Sequence, residues 1–276
     1  MKVAKDFIKS LCMLGSRIGK MFFRIFGLSI HRAGTVDQLE RRLKIKVNRD
    51  FEIYSYLPSM DSKIFLRCLE LSQSQYAQEL FVISELKFKR DGFFVEIGAT
   101  NGISFSNTYM LENEFNWGGI LAEPAKCWHE DLSKNRRCYI EKNCLFSASG
   151  LEIYFNETPA RMLSTIDSYS DSDIWKQARK DGKRYKVNTI SMNDLLAKYN
   201  APKVIDYLSI DTEGSEYEIL SALDFSKYAF RVITCEHNNT QNRDKILRLL
   251  EKNGYQRKFD RLPFGEDWFI TREDLV

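Results

Sequence analysis

The chain has 276 residues, of which 43% are hydrophobic and 29% charged, a composition typical of globular proteins. Its net charge of +3 is concentrated at the start: residues 1–34 hold seven basic side chains against the single acid Asp6, which leaves −3 for the rest. This distribution argues against a fold with a basic nucleic-acid-binding face, so we expect no nucleic-acid partner. The six cysteines show no CxxC spacing, which excludes zinc-ribbon and thioredoxin-type motifs.

Residues 5–26 predict an amphipathic helix with a cationic polar face. Its apolar positions recur at helical spacing: Phe7, Leu11, Leu14, Ile18, Phe22 and Ile25. Arg17, Lys20 and Arg24 interrupt the apolar runs, which excludes a membrane-spanning helix. The helix can pack on the body of the protein, lie on a membrane surface or bind a partner, and the pattern leaves all three open. We expect a cytoplasmic protein, either free or at the inner face of a membrane.

The chain is predicted to divide into two parts. Residues 1–60 comprise the basic helix and a polar connector, and residues 61–276 form the folded domain. Within that domain residues 61–89 predict helix with a break at 72–74. Further helices are predicted at 108–115, 126–135, 191–196, 217–223 and 243–253.

Strands alternate with these helices. Those predicted are 93–97, 118–123, 138–141, 205–210, 230–235, 255–259 and 268–271. Residues 150–155 are expected to join a hairpin, and residues 156–186 to form a long loop or lid with one short helix. This alternation predicts an α/β fold with a mostly parallel sheet and helices on both faces.

The segment after the first strand, Gly98-Ala99-Thr100-Asn101-Gly102, predicts a cofactor-binding turn. Ligands of open parallel sheets bind beyond the carboxyl ends of the central strands, and glycine lets the backbone approach them closely. Glu123 ends the next strand, where an acid can accept hydrogen bonds from two ribose hydroxyls. Thr100 replaces the second glycine of the dinucleotide motif G-x-G-x-x-G, so a cofactor with ribose and no pyrophosphate fits better. S-adenosylmethionine is such a cofactor, and the acid Glu96 suits its cationic sulfonium.

Several segments together resemble the FkbM family of methyltransferases: Gly92–Gly102, Ser106-Asn107-Thr108, Trp117-Gly118-Gly119 with Glu123-Pro124, and Ile210-Asp211-Thr212-Glu213-Gly214-Ser215-Glu216. The resemblance covers roughly residues 73–270. It implies an S-adenosylmethionine-dependent O-methyltransferase with a Rossmann-like seven-stranded sheet. Because many members act on sugars or glycosylated products, it implies a hydroxyl-bearing carbohydrate or glycoconjugate, including a glycolipid, as acceptor.

The resemblance also assigns cofactor contacts. It places Glu96, Gly98 and Gly102 at the methionine part, Glu123 at the ribose and Asn143 near the adenine. The complete candidate set for cofactor binding is Glu96, Gly98, Ala99, Asn101, Gly102, Ser106, Asn107, Thr108, Glu123, Pro124 and Asn143.

Carboxylates at two later strand ends predict the reaction site. Asp211 follows strand 205–210 and precedes Glu213, while Glu236 and His237 end the neighbouring strand. Methyl transfer to a hydroxyl requires alignment of the acceptor oxygen and removal of its proton, by a base or with the help of a bound cation. Asp211 is the candidate for positioning the acceptor, Glu236 and His237 for the base, and Glu213 for a further catalytic role. Asp211, Glu236 and His237 are also the candidate ligands of a divalent metal.

Three further hypotheses stay open on the sequence alone. The strand-one turn and Glu123 partly fit a nicotinamide-dependent oxidoreductase. The basic helix is compatible with a non-catalytic, membrane-associated adaptor of the same fold. Three aromatic residues of the 156–186 loop, Tyr169, Trp175 and Tyr185, are candidates for stacking on a sugar ring.

Overall fold

The computed structural model describes residues 62–259 and 265–272. The predicted basic helix, the connector and the domain boundary at residue 60 lie outside these residues. The described part begins with helices α1 (Ser62–Leu71) and α2 (Gln78–Glu85), separated close to the predicted break. Within the part of the chain that is described, no helix has the length and apolar character needed to cross a membrane.

Strands and helices then alternate. The strands are β1 (Phe93–Ile97), β2 (Gly118–Ala122), β3 (Tyr139–Glu141), β4 (Cys144–Phe146), β5 (Glu152–Glu157), β6 (Thr165–Ile166), β7 (Lys183–Ser191), β8 (Val204–Ile210), β9 (Ala229–Glu236), β10 (Tyr255–Lys258) and β11 (Glu266–Thr271). The remaining helices are α3 (Tyr109–Phe115), α4 (His129–Asn135), α5 (Lys176–Arg179), α6 (Met192–Lys198), α7 (Glu216–Ser221) and α8 (Asn242–Lys252). Single 3₁₀ turns occur at Lys126–Trp128, Arg161–Leu163 and Asp167–Tyr169.

The central sheet has seven strands in the order β10-β11-β9-β8-β1-β2-β3. β11 runs antiparallel to both neighbours, and the other pairs are parallel. The prediction of a Rossmann-like, mostly parallel seven-stranded sheet is therefore confirmed. β1 lies between β2 and β8, so the direction of strand succession reverses there, and ligands of such sheets bind at this switch point.

The core lies against the central strands. β1 and β8 are buried over nearly their whole length, as expected of parallel strands that are covered on both faces. Their apolar side chains pack with those of β2, β9, α6 and α7, among them Val95, Ile120, Leu195, Leu208, Ile219 and Ile233. The five described cysteines are free thiols, and three of them are buried.

A second sheet, β4-β7-β5-β6, corrects the expectation for residues 156–186. These residues were predicted to form a loop with one short helix, but they contain β6, two 3₁₀ turns, α5 and the start of β7. β7 pairs antiparallel with β5 from Lys183↔Glu157 to Asn188↔Glu152. The strand escapes recognition because its first four residues, Lys-Arg-Tyr-Lys, are polar and mostly exposed, while burial starts only at Val187.

Candidate active site

A cavity of about 770 Å³ opens at the carboxyl ends of the central strands. Its wall includes Gly98 after β1, Glu123 after β2, Asp211 after β8 and Glu236 at the end of β9. Further lining residues are 159–164, 166 and 174–175, from the segment that joins β5 to β7. The cavity therefore occupies the predicted switch point, and its volume is that of an ordinary ligand pocket.

Gly98 brings three strand ends together. Its φ of +89° is a left-handed conformation, and a Cβ at this position would lie 1.9 Å from the carbonyl oxygen of Asp211. Its N–H donates to the carbonyl of Ala122 at 2.9 Å, while the Asp211 N–H donates to the carbonyl of Ile97 at 3.0 Å. Only glycine leaves room for this approach, so residue 98 fixes where Asp211 faces the cavity.

Glu96 lies behind the turn and not on the cavity wall. Its carboxylate accepts hydrogen bonds from the Ser106 hydroxyl (3.0 Å), the Asn107 N–H (2.7 Å) and the Thr108 hydroxyl. The buried Arg136 guanidinium approaches it to 3.8 Å. With its oxygens engaged in this way, Glu96 braces the loop that presents Ser106 and Asn107 to the cavity, which corrects the expectation that it faces the sulfonium.

Glu123, the predicted ribose ligand, lies at the end of β2 on the cavity wall. It is buried and lines the cavity, and its two carboxylate oxygens accept the backbone N–H groups of Thr100 and Ala125, each at 2.8 Å. Burial raises its pKa to about 7, and these two hydrogen bonds oppose that shift. Since a carboxylate oxygen can accept more than one hydrogen bond, Glu123 retains the capacity to bind two hydroxyls.

The complete set of cofactor candidates falls into two groups. Gly98, Ser106, Asn107, Glu123 and Pro124 line the cavity. The residues that do not line it are Glu96, Ala99, Asn101, Gly102, Thr108 and Asn143. Asn101 instead closes its own loop through the N–H groups of Ile103 and Ser104.

Asn143, which was predicted to contact the adenine, does not line the cavity. Asn143 donates its N–H to Glu141 at 2.9 Å, and the following Cys144 and Leu145 line the cavity in its place. Trp128 lines the same region. The apolar start of β4 is the signal that could have identified Cys144 and Leu145, since a flat purine ring binds between apolar side chains.

Three of the four catalytic candidates converge. Asp211, Glu213 and Glu236 line the cavity, and each offers a carboxylate oxygen within 4.8 Å of the others. Burial raises the pKa of all three, that of Glu213 to about 8, and repulsion from Asp211 adds to the shift at Glu213 and Glu236. The Oε2 atom of Glu236 is buried and accepts no hydrogen bond from any described residue. The cluster therefore favours a proton or a cation at its centre.

His237 does not join this cluster. Its buried ring accepts the Asn239 N–H through Nδ1 at 3.0 Å, and its Nε2 lies 3.6 Å from Asp267 on β11. It is absent from the described lining of the cavity, because the chain alternates sides after Glu236 at the strand end. The predicted metal set is corrected accordingly: Glu213, and not His237, lies with Asp211 and Glu236.

Arg179, which the sequence did not single out, supports the candidate site from behind the cavity wall. It is fully buried and donates to both oxygens of Asp173 (2.9 and 3.0 Å), to Glu213 (2.6 Å) and to the carbonyl of Leu163 (2.9 Å). Asn238 adds a hydrogen bond of 3.1 Å to the same Glu213 oxygen. This network joins the segment between β5 and β7 to the ends of β8 and β9. An arginine in a charged, polar stretch gave no signal of such burial.

Of the three aromatic candidates for sugar stacking, Trp175 alone lines the cavity among the described residues. Tyr185 donates its hydroxyl to Glu157 at 2.8 Å, and Tyr169 packs against Gly214.

Comparison with known families identifies the protein class. A family model described as the methyltransferase FkbM domain matches residues 96–257, more than half of the chain. The chain belongs to this family. The matched range contains all the strand-end residues of the cavity wall, from Gly98 to Glu236. Family membership makes the protein an S-adenosylmethionine-dependent methyltransferase and argues against the nicotinamide-dependent alternative.

Several solved structures are similar to this family member. A methyltransferase FkbM from Methylobacillus flagellatus KT has 12% sequence identity and a TM-score of 0.44, over 96% of this chain and 70% of that chain. A precorrin-6y C5,15-methyltransferase from Geobacter metallireducens GS-15 has 12% identity and a TM-score of 0.38, over 73% and 92% of the two chains. A TehB-like methyltransferase from Corynebacterium glutamicum has 7% identity and a TM-score of 0.35, over 71% and 88%. No curated protein matches the sequence.

The cavity fits S-adenosylmethionine chemically. Glu123 can accept the ribose hydroxyls, while Trp128, Cys144 and Leu145 offer an apolar surface nearby for a purine. The carboxylate cluster suits a positively charged sulfonium.

Proposed function

We propose that the protein transfers a methyl group from S-adenosylmethionine to a hydroxyl of a sugar in a glycan or glycoconjugate. The observation that carries the proposal is the convergence of Asp211, Glu213 and Glu236 beside the Gly98 turn, in the cavity that Glu123 also lines. The cofactor supplies a methyl group on a sulfonium. A hydroxyl is a poor nucleophile until its proton is accepted, and carboxylates at this position supply the acceptor.

The three carboxylates have different surroundings. Glu213 is held in place through Oε2 by Arg179 and Asn238. The carboxylates of Asp211 and Glu236 lie close together, and their repulsion adds to the burial that raises the pKa of Glu236, so the pair holds one proton more readily than two separate carboxylates would. We assign the acceptance of the hydroxyl proton to this pair, and the orientation of the acceptor to Glu213.

The rest of the wall supports recognition of a polyol. Gln78, Asn238, Asn239 and Glu266 line the cavity and offer donors and acceptors for neighbouring hydroxyls. Trp175, 42% exposed, offers an aromatic face for the apolar side of a sugar ring.

A divalent cation is a second proposal for the same cluster. Asp211, Glu213 and Glu236 would hold it, because hard cations such as Mg²⁺ prefer carboxylate oxygens. The uncommitted Oε2 of Glu236 supports this proposal. Such an ion would acidify a bound hydroxyl. Calorimetric titration with MgCl₂ and MnCl₂, compared between the wild type and Glu236→Gln, tests it, and transfer that survives EDTA unchanged argues against it.

Cofactor binding is tested by calorimetric titration with S-adenosylhomocysteine. Because Glu123 makes charge-assisted hydrogen bonds, Glu123→Ala should weaken binding by about 10- to 100-fold. Glu130→Ala removes an acid from the exposed surface of α4 and is the matched control. No binding by the wild type would refute the assignment.

Methyl transfer is tested with tritiated S-adenosylmethionine and a panel of free and lipid-linked saccharides. Asp211→Asn and Glu236→Gln should each lower the rate by about 10²- to 10⁴-fold, the usual contribution of acid–base catalysis. S-adenosylhomocysteine affinity reports whether the variants keep an intact cofactor site. Full activity of both variants would exclude the pair from proton transfer, and label recovered only on amines would exclude O-methylation.

A further inference from the structure

Exposed apolar side chains are concentrated at the mouth of the cavity. Nine large apolar side chains of the described residues are strongly exposed, and four of them line this cavity. These are Phe105 (50% exposed), Met162 (40%), Ile174 (80%) and Trp175 (42%). They come from the loop after β1, the 3₁₀ turn Arg161–Leu163 and the turn before α5. Single exposed apolar residues are common on any protein, whereas a cluster around one opening marks a binding surface.

Three of these four apolar side chains lie on a segment that Arg179 anchors by hydrogen bonds. Arg179 donates to the carbonyl of Leu163, the neighbour of Met162, and to the carboxylate of Asp173, the neighbour of Ile174. It is also anchored to Glu213 at the end of β8. Met162, Ile174 and Trp175 are therefore exposed on a segment whose backbone is fixed by a fully buried arginine.

The inner end of the cavity has the opposite character. Asp211, Glu213, Glu236 and Glu266 all line it. An alkyl group placed among these carboxyl groups would desolvate them without satisfying their hydrogen bonds, which is costly. The two ends thus fix the orientation of an amphiphilic ligand, with its polar head inside and its apolar part at the mouth.

We propose that the methyl acceptor is an amphiphile, a hydroxyl-bearing head group carrying a flexible aliphatic chain, and that this chain lies on Phe105, Met162 and Ile174, next to the sugar ring at Trp175. The inference rests on the proposed function and selects lipid-linked acceptors over free saccharides. The apolar mouth contributes affinity for the chain, and the carboxylate end receives the reacting hydroxyl.

The test compares methyl and hexyl β-D-glucopyranoside, both below micelle-forming concentrations, by calorimetric titration of the full chain saturated with S-adenosylhomocysteine. Each methylene removed from water strengthens binding by about fourfold. Burial of two or three of the added methylenes therefore predicts that the hexyl compound binds about 15- to 60-fold more tightly. Ile174→Ser should reduce this ratio several-fold. Leu151→Ser is the matched control, since Leu151 is 43% exposed and does not line the cavity, and it should leave the ratio unchanged.

The outcomes separate this inference from the proposed function. Equal affinity for the two glycosides, or no binding of the hexyl compound, overturns the inference while S-adenosylhomocysteine binding keeps the proposed function intact. Absence of S-adenosylhomocysteine binding refutes the proposed function itself. Sedimentation velocity examines a second copy as the occupant: a wild-type dimer that Ile174→Ser converts to a monomer would also overturn the inference. Thermal unfolding of both serine variants confirms that they are folded.

Discussion

Replacement of Gly98 by alanine perturbs the position on which the cavity depends most. Its φ of +89° costs an L-residue about 1–2 kcal/mol in backbone conformation. The added Cβ would also lie 1.9 Å from the Asp211 carbonyl oxygen, where ordinary contacts begin at 3.4 Å. A backbone shift of about 1.5 Å between paired strands is needed, and overpacking of this kind costs about 1–3 kcal/mol more. We therefore expect Gly98→Ala to lower the free energy of unfolding by about 2–5 kcal/mol.

Gly150→Ala separates the backbone cost of such a substitution from the cost of overpacking. Gly150 has a similar φ of +78°, but a Cβ there meets no atom within 4 Å, so it should lose only the backbone cost of about 1–2 kcal/mol. The assay is urea unfolding of both variants together with titration of S-adenosylhomocysteine. Because the shift moves the turn and Asp211, Gly98→Ala should weaken binding by about tenfold or more, equivalent to at least about 1.4 kcal/mol. Equal losses of stability in the two variants, with unchanged affinity, would refute the proposed role of Gly98.

Four further predictions concern other parts of the chain. Arg179→Gln leaves buried carboxylates without their cation and should lower the free energy of unfolding by about 3–5 kcal/mol. Arg184→Gln breaks a more exposed pair with Asp167 and should lower it by at most about 1 kcal/mol. Similar losses of stability for the two variants in urea unfolding would contradict the burial argument. His237→Gln should reduce tritium transfer by less than about tenfold, because its ring does not line the cavity, and a loss at the general-base level of about 10²-fold would restore it as the base. Burial alone would raise the pKa of Asp267, but His237 and Arg243 hold this pKa below its usual range. The stability that ionised Asp267 contributes is therefore present above about pH 4 and is lost as the pH falls further. In urea unfolding, the difference in free energy of unfolding between wild type and Asp267→Asn should shrink between pH 6 and pH 3, and a constant difference would contradict this. If residues 5–26 bind a membrane surface, the full chain should sediment with vesicles that contain anionic lipid. Each basic residue that is removed should weaken the binding by about 1 kcal/mol. Binding that is insensitive to salt would exclude this electrostatic attachment.

The elements that line the cavity could be predicted from the sequence where a local pattern marks them. An apolar run followed by Gly98 identified β1 and the turn that lines the cavity, and the position of Glu123 identified the end of β2. Carboxylates after β8 and β9 predicted the cluster at the sheet edge, because parallel strands bring their carboxyl ends to the same side.

Contacts between distant segments could not be predicted in this way. Arg179 is buried against Asp173, six residues away, and Glu213, 34 residues away, and no local periodicity reports the second pairing. Whether His237 faces the cavity depends on which side of the strand end its ring occupies, and the ring lies on the side of Asp267. Likewise, the charge of Glu96 suggested that it would face the cofactor, but its carboxylate oxygens accept hydrogen bonds from the hydroxyl and N–H groups of residues 106–108.

The charge of the cavity bears on the proposed transfer of a methyl group to a hydroxyl. Among the described residues, Asp211, Glu213 and Glu236 face one buried guanidinium, that of Arg179, so these groups together carry excess negative charge whenever more than one acid is ionised. A sulfonium bound beside the cluster would offset this charge. In the proposed reaction, transfer to a hydroxyl would remove the sulfonium charge and release one proton, and a carboxylate of the cluster that accepts this proton would keep the net charge of the cavity constant. Because buried charge is costly in a low-dielectric site, this balance would favour a neutral hydroxyl as the acceptor.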